Sequence, residues 1–298
     1  MRSVFQLGLL LSVMIVFAAP AVSFAQHASD VQKLSADGEH FKALAMYELL
    51  PSKKLVMETR VAAAKSAWAL GLNRQAADGF DSILRDPNIA PDIRTRLVLS
   101  RGVIEYQEER YQEAALYAEK AISYMLESVP LRGRAYLLWG QSLLRTGTYA
   151  SAHEKFEKAL LDVQPQDRAE AQFALGLVQI KLARYEDAQK NLEAIPMDHD
   201  RTPVAVRMLA GLSLETRHYD RAKFWIEKGK TDYPEAFVDS WGDYGLVQAA
   251  LSRGDFEEAR RGTDSAQKQF PPSDSWLVLM QASLELAEWK KREQVSVG

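Results

Sequence analysis

Between Gly147 and Ala159 the chain reads GTYASAHEKFEKA, and its apolar residues Tyr149, Ala152, Phe156 and Ala159 fall at steps of three, four and three. Residues three and four apart share one face of an α-helix, so the spacing predicts an amphipathic helix with a single apolar stripe. Gly147, just ahead of the stripe, is suited to end the preceding helix, because glycine takes the left-handed conformation found after many helix ends. The local unit is helix, tight turn, helix.

The pattern returns along the chain. ARYEDAQKNLEAI places Tyr185, Ala188, Leu192 and Ile195 on one stripe, and RHYDRAKFWIEKG does the same with Tyr219, Ala222, Ile226 and Gly229. ERYQEAALYAEKA, GDFEEARRGTDSA, GLNRQAADGFDSI and GEHFKALAMYELL are further copies. Aligned on their alanines (Ala43, Ala76, Ala114, Ala152, Ala188, Ala222 and Ala259), neighbouring copies stand 33 to 38 residues apart. Seven copies in one register point to a tandem repeat rather than a bundle whose stripes arise from ordinary core patterning.

Twelve residues before each alanine stand Val31, Ala64, Gly102, Gly140, Gly176, Ala210 and Val247. Five are Gly or Ala, and a small residue at a crossing lets two helix axes approach to about 8–10 Å. In YLLWGQSLLRTGTYASAHEKFEKAL, Tyr136, Gly140, Leu143, Gly147, Tyr149, Ala152, Phe156 and Ala159 all keep this register. On these residues the chain resembles the tetratricopeptide repeat family, whose unit is a pair of antiparallel helices of about 34 residues. The resemblance implies an all-α fold, a right-handed α-solenoid of about seven such repeats.

Departures and ends complete the pattern. Thr263 replaces a bulky residue in the seventh copy, and Val31 and Val247 sit where small residues are expected. Pro234 and Pro271 fall twelve residues after Ala222 and Ala259, where the family often breaks its second helix. RTPVAV offers Thr202 as N-cap with Pro203 at the first helical position. SDSWLVLMQASLELAEWKKREQV reads as an amphipathic capping helix over 273–292 with Ser273 as its N-cap, so the expected solenoid is 26–292, followed by a disordered tail at 293–298.

The first residues have another character. Met1-Arg2 is a short positive head, Leu7 to Ala19 is an apolar run without a charge, and Ser23 and Ala25 supply the small residues of a peptidase site. This resembles a secretion signal over 1–25, cleaved after Ala25, and implies a periplasmic or secreted protein. The run is shorter than the roughly 20 apolar residues of a spanning helix, so no integral membrane anchor is expected after cleavage. The chain contains no cysteine, which leaves nothing to carry a lipid and makes packing alone responsible for the fold. Without residues 1–25, 36 Lys and Arg face 40 Asp and Glu, a balance that speaks against a uniformly basic face for nucleic acid.

Catalytic chemistry finds little support. His27, His40, His153, His199 and His218 are scattered, with no pair at metal-binding helical spacing. The acid-His-acid run from Met197 to Asp200 reads as a solvated turn. No phosphate loop, nucleophile elbow or HExxH motif occurs, and Glu108, Glu109, Asp255, Glu257 and Glu258 read as helix-start acids that complement the macrodipole. The expectation is a non-enzymatic protein without cofactor or metal.

In the family, the first helix of each repeat lines the inner surface through its second, fifth, ninth, twelfth and thirteenth positions. Carried over, this implies a partner-binding groove that includes Trp68, Tyr106, Leu137, Gln141, Arg145, Phe173, Leu177, Lys181, Arg207, Trp241 and Tyr244. No three consecutive repeats carry the Lys, Asn and Arg set with which some members grip a peptide's terminal carboxylate. An amphipathic helix or extended protein segment fits better. The resemblance thus implies an exported scaffold that holds a segment of another envelope protein and supports a multiprotein complex, as in outer-membrane assembly, secretion, pilus formation or polysaccharide export. A different reading is an accessory subunit of a cell-wall enzyme, with Trp241, Tyr244, Asp243 and Gln248 as a sugar platform. Self-association through exposed end faces is a further expectation.

Overall fold

A computed structural model describes residues 24–51, 55–124 and 129–297, and residues 1–23, which hold most of the expected leader, lie outside that range. The described residues form fifteen α-helices and a short 3-10 turn, with no strand. The helices are α1 (Phe24–Ala36), α2 (His40–Glu48), α3 (Met57–Ala69), α4 (Asn73–Leu84), α5 (Pro91–Gln107), α6 (Tyr111–Ser123), α7 (Val129–Arg145), α8 (Tyr149–Asp162), α9 (Pro165–Lys181), α10 (Tyr185–Glu193), α11 (Thr202–Glu215), α12 (Tyr219–Asp232), α13 (Trp241–Ser252), α14 (Phe256–Gln269) and α15 (Ser275–Val297). Successive helices pack as seven pairs, α1 with α2 through α13 with α14, and α15 lies against both members of the last pair. This is the helical-repeat arrangement of an α-solenoid.

Among the described residues, packing forms two compact units, one up to 124 and one from 129 on. In the first unit, Phe80 and Ile83 of α4 and Ile104 of α5 are fully buried. In the second, α7 to α9 close over Phe156 and Val178, α9 to α13 over Leu192, Leu209 and Ile226, and α13 to α15 over Val247, Leu277 and Met280.

The repeat register is met at every pair. All seven anchor alanines are at 0% exposure. Five residues before each of them stands a residue with positive φ: Gly38, Gly71, Glu109, Gly147, Ala183, Arg217 and Gly254. Around Gly147, the amide of Thr148 donates to the carbonyl of Leu143 at 2.9 Å and that of Gly147 to Leu144 at 3.2 Å. This pair of bonds satisfies carbonyls that the helix end leaves open, and it recurs at the other six turns. The turn is therefore a repeated backbone device, and three copies accept a side chain in the left-handed region at a cost of about 1–2 kcal/mol each.

The small residues work where pairs cross. A Cβ added to Gly140 would stand 2.6 Å from the Phe156 ring, and one added to Gly176 would stand 2.9 Å from Leu192. Phe156 is fully buried and cannot swing away.

Three expectations at the element ends are corrected. Thr202 is the first residue of α11 rather than its cap, because its buried hydroxyl donates to the Pro196 carbonyl at 2.6 Å. Asp274, not Ser273, caps α15, and its carboxylate accepts from the amides of Trp276 at 3.0 Å and Leu277 at 2.9 Å. The expected disordered tail is helical as far as Val297. Lys290 to Gln294 are all good helix formers, and Lys291 lies 4.5 Å above the Phe256 ring.

Substitutions separate turn from crossing. Gly147→Ala meets no atom within 4 Å and should cost only the backbone penalty of about 1 kcal/mol, whereas Arg217→Gly should move stability the other way. Gly140→Ala should cost more, about 1–3 kcal/mol, through overpacking. Urea unfolding followed by circular dichroism checks the order, and equal effects for Gly140→Ala and Gly147→Ala would contradict it.

Candidate functional site

The residues expected to face inward lie on the first helix of each pair, and their surroundings differ between the units. In the first unit, Trp68 of α3 is half-buried. Its indole N–H donates to Oε1 of Gln107 on α5 at 2.7 Å, and its ring meets Phe80 edge-on at 6.4 Å. Tyr106 of α5, also half-buried, has its ring 5.3 Å from that of Tyr111 at the start of α6.

Beside Tyr106 lies a charge network that sequence spacing does not announce. Glu105 is buried, and its carboxylate accepts from Arg101 one turn earlier and from Arg110 in the turn before α6. Arg101 also reaches Asp81 on α4 at 3.2 Å and covers the Tyr117 ring at 5.2 Å. The network ties α4, α5 and α6 to one another behind the inward residues.

In the second unit, Leu137 of α7 packs at the edge of the Phe156 and Val178 cluster, and Gln141 is half-buried one turn on. Arg145 and Lys181 end α7 and α9 and are exposed. Leu177 and Trp241 pack, half-buried, against the Leu192, Leu209 and Ile226 cluster. Tyr244 has its ring 5.1 Å from that of Trp276.

Two inward candidates take other roles. Phe173 is 6% exposed, and the Arg201 guanidinium lies 5.1 Å above its ring, so it packs as core instead of lining an open surface. Arg207 makes two hydrogen bonds to Asp239, at 2.6 and 3.0 Å, donates to the Ala236 carbonyl at 2.6 Å, and stacks 4.6 Å above the Trp241 ring. It holds the Trp241 indole in place more than it offers a cation to a partner.

That contact belongs to a series. Arg134 of α7 reaches Asp167 at the start of α9 at 2.7 Å, Glu170 of α9 reaches Arg201 just before α11 at 2.8 Å, and Arg207 of α11 reaches Asp239 just before α13. Ser240 then donates to Asp274, the cap of α15. Each link joins one repeat to the start of the next first helix. The sequence signal was present as opposite charges 31 to 33 residues apart. Half-exposed pairs of this kind contribute about 0.2–1 kcal/mol each, so they set where successive helices begin more than they hold the fold together.

Chemistry outside the inward face is sparse. Among the described residues no group of three or more His, Cys, Asp or Glu is placed to hold a metal. The Met197 to Asp200 segment is a turn, in which the amide of Arg201 donates to His199 Nδ1 at 3.1 Å. His153, on α8, is buried within reach of Gln179 and Arg184 from the next pair and serves as an inter-repeat contact. No helix among the described residues is long and apolar enough to cross a membrane.

The Glu105 network gives a pH dependence with a fixed sign. Burial by itself would raise the carboxyl, but hydrogen bonds from Arg110 and Arg101 outweigh it and hold the group below its ordinary value. A carboxyl depressed on folding stabilises the fold above its unfolded pKa, and that contribution is lost as pH falls through the folded value. Urea midpoints should therefore fall more steeply on acidification for the natural chain than for Glu105→Gln, and parallel slopes would contradict the assignment. Glu105→Ala, which leaves Arg101 with Asp81 as its acidic partner, should cost about 1–3 kcal/mol at neutral pH.

A tetratricopeptide repeat family model matches the sequence at residues 61–130 and 137–205. No curated protein matches it. Among solved structures, the fold is similar to the C-terminal part of a TPR repeat-containing protein from Cytophaga hutchinsonii, at 13% identity over 85% of this chain and 98% of that one, with a TM-score of 0.66. It is similar to pilF of Pseudomonas aeruginosa, at 18% identity over 71% of this chain and 94% of that one, with a TM-score of 0.56. PilW, described as a widely conserved type IV pilus biogenesis factor, gives 18% identity, 74% and 96% coverage and a TM-score of 0.54. At such identities the likeness speaks for the fold alone. The anchor alanines and left-handed turns supply the register in all seven pairs and the family pattern matches two long stretches, so residues 61–130 and 137–205 are tetratricopeptide repeats.

Proposed function

We propose that this protein is an exported scaffold that holds a segment of another envelope protein against the first helices of its second unit. The family's helical repeats serve protein–protein interaction, which gives the class of activity. The observation that carries the finer reading is the arrangement on α7, α9 and α13: half-buried Leu137, Leu177, Trp241 and Tyr244, with exposed Arg145 and Lys181 at the helix ends. Apolar side chains already held in place lose little freedom on binding, and the polar ends supply a rim. An amphipathic helix or an extended segment with acidic residues near its anchors has the matching chemistry.

The sugar-platform reading gains no comparable support. One face of the Trp241 indole is covered by Arg207, and Asp243 is engaged by Lys230 at 2.5 Å. Pilus assembly, named for PilW, is one of several envelope processes that such a scaffold fits.

Affinity capture from the producing cells tests the site. Arg145→Glu combined with Lys181→Glu and Tyr244→Ala changes only exposed or half-buried positions, so the variant should fold and lose the protein partner that the natural chain retains. A partner kept in full by the variant would contradict the reading. Export is tested separately: the protein recovered from the envelope fraction should begin at Gln26, and a cytoplasmic chain that still begins at Met1 would overturn it.

A further inference from the structure

The last helix carries a further apolar surface. α15 repeats the opening of α13: Asp274, Ser275 and Trp276 match Asp239, Ser240 and Trp241 thirty-five residues earlier. In that register Ala282 takes the place of Val247, which is the crossing position of the seventh repeat. At this position Val31, Ala64, Gly102, Gly140, Gly176, Ala210 and Val247 are all buried, whereas Ala282 is exposed.

Ala282 does not stand alone. Leu279, Leu286 and Trp289 share its face and are 45%, 51% and 53% exposed. The opposite face, formed by Leu277, Met280 and Leu284, is buried against α13 and α14. A helix with apolar stripes on two opposite faces is built to be covered on both.

The spacing and the flanking charges point to the cover. Leu279, Ala282, Leu286 and Trp289 follow a three, four, three pattern, the seam of a two-stranded coiled coil. In heptad terms Glu285 precedes the seam residue Leu286 at position g, and Lys290 follows Trp289 at position e; both are exposed. In a parallel pair, g of one helix faces the next e of the other, so Glu285 would meet Lys290 of the partner subunit twice around a two-fold axis. An antiparallel pair would set Glu285 against its own copy.

We propose that α15 pairs in parallel with α15 of a second copy of this chain, through Leu279, Ala282, Leu286 and Trp289, to form a symmetric dimer. Leu279 and Leu286 stand thirty-five residues after Tyr244 and Leu251, so this face continues the inward register beyond the last pair; none of its residues belongs to the proposed partner site, and self-association of the purified chain is read separately from partner capture.

Light scattering and sedimentation of the full chain at micromolar concentration test it, with circular dichroism to confirm the helical fold of each variant. The natural chain should be dimeric, and Leu286→Lys, at a half-exposed position, should be monomeric with its helix content kept. Glu285→Lys or Lys290→Glu alone should raise the dimer dissociation constant roughly tenfold, and the two together should restore it. A monomeric natural chain, a dimer indifferent to Leu286→Lys, or a charge-swapped double variant no better than the singles would overturn the proposal.

Discussion

The crossing inside each helix pair, where a hydrogen atom or a methyl group lies against a bulky side chain, governs the rest of this structure. Gly140 beneath Phe156 and Gly176 beneath Leu192 leave no room for another carbon atom, and the anchor alanines beside them are sealed from solvent. Close approach brings the two helices into contact along their length, and the left-handed turn five residues before each anchor returns the chain at the angle that contact needs. The seventh repeat shows the same constraint met from the other side. Val247 is larger than glycine or alanine, while Gly262 and Thr263 opposite are small, and a Cβ on Gly262 would stand 3.1 Å from Val247. Volume is exchanged across the crossing and the packing is kept.

Pairs built this way still have to be placed in series, and in the second unit polar side chains do so. Arg134, Glu170 and Arg207 each reach the start of the next first helix, and Ser240 continues the run to the cap of α15. These contacts lie beside the inward residues. The side chains that fix one helix relative to the next therefore also fix the spacing of the surface proposed to take a partner, and Arg207 does both through its stack on Trp241.

Much of this was legible in the sequence because periodicity reports what a helix buries. The seven anchors, the crossing positions and the glycine turns follow from spacing alone. Glu109, Ala183 and Arg217 were hidden as turn residues because no glycine marks them; only the register reveals them. Phe173 was misplaced because its cover, Arg201, arrives from the loop of the next repeat, and a stripe on one helix cannot report that. The caps at Thr202 and Ser273 were misread because a hydroxyl near a helix start has several acceptors and donors within reach, and tertiary geometry chooses among them. The boundary between the two units left no trace in the spacing, since the anchors on its two sides, Ala114 and Ala152, stand as far apart as Ala76 and Ala114.

The central claim is that the first-helix face of the second unit is where a partner lies. The most direct measurement places a photo-reactive residue at Lys181, on the inward end of α9, and in a second variant at Leu161, 83% exposed on the second helix α8, and irradiates living cells. The account predicts a crosslinked protein partner from position 181 and none from position 161. The same partner captured from 161 and absent at 181 would place recognition on the second helices and contradict it.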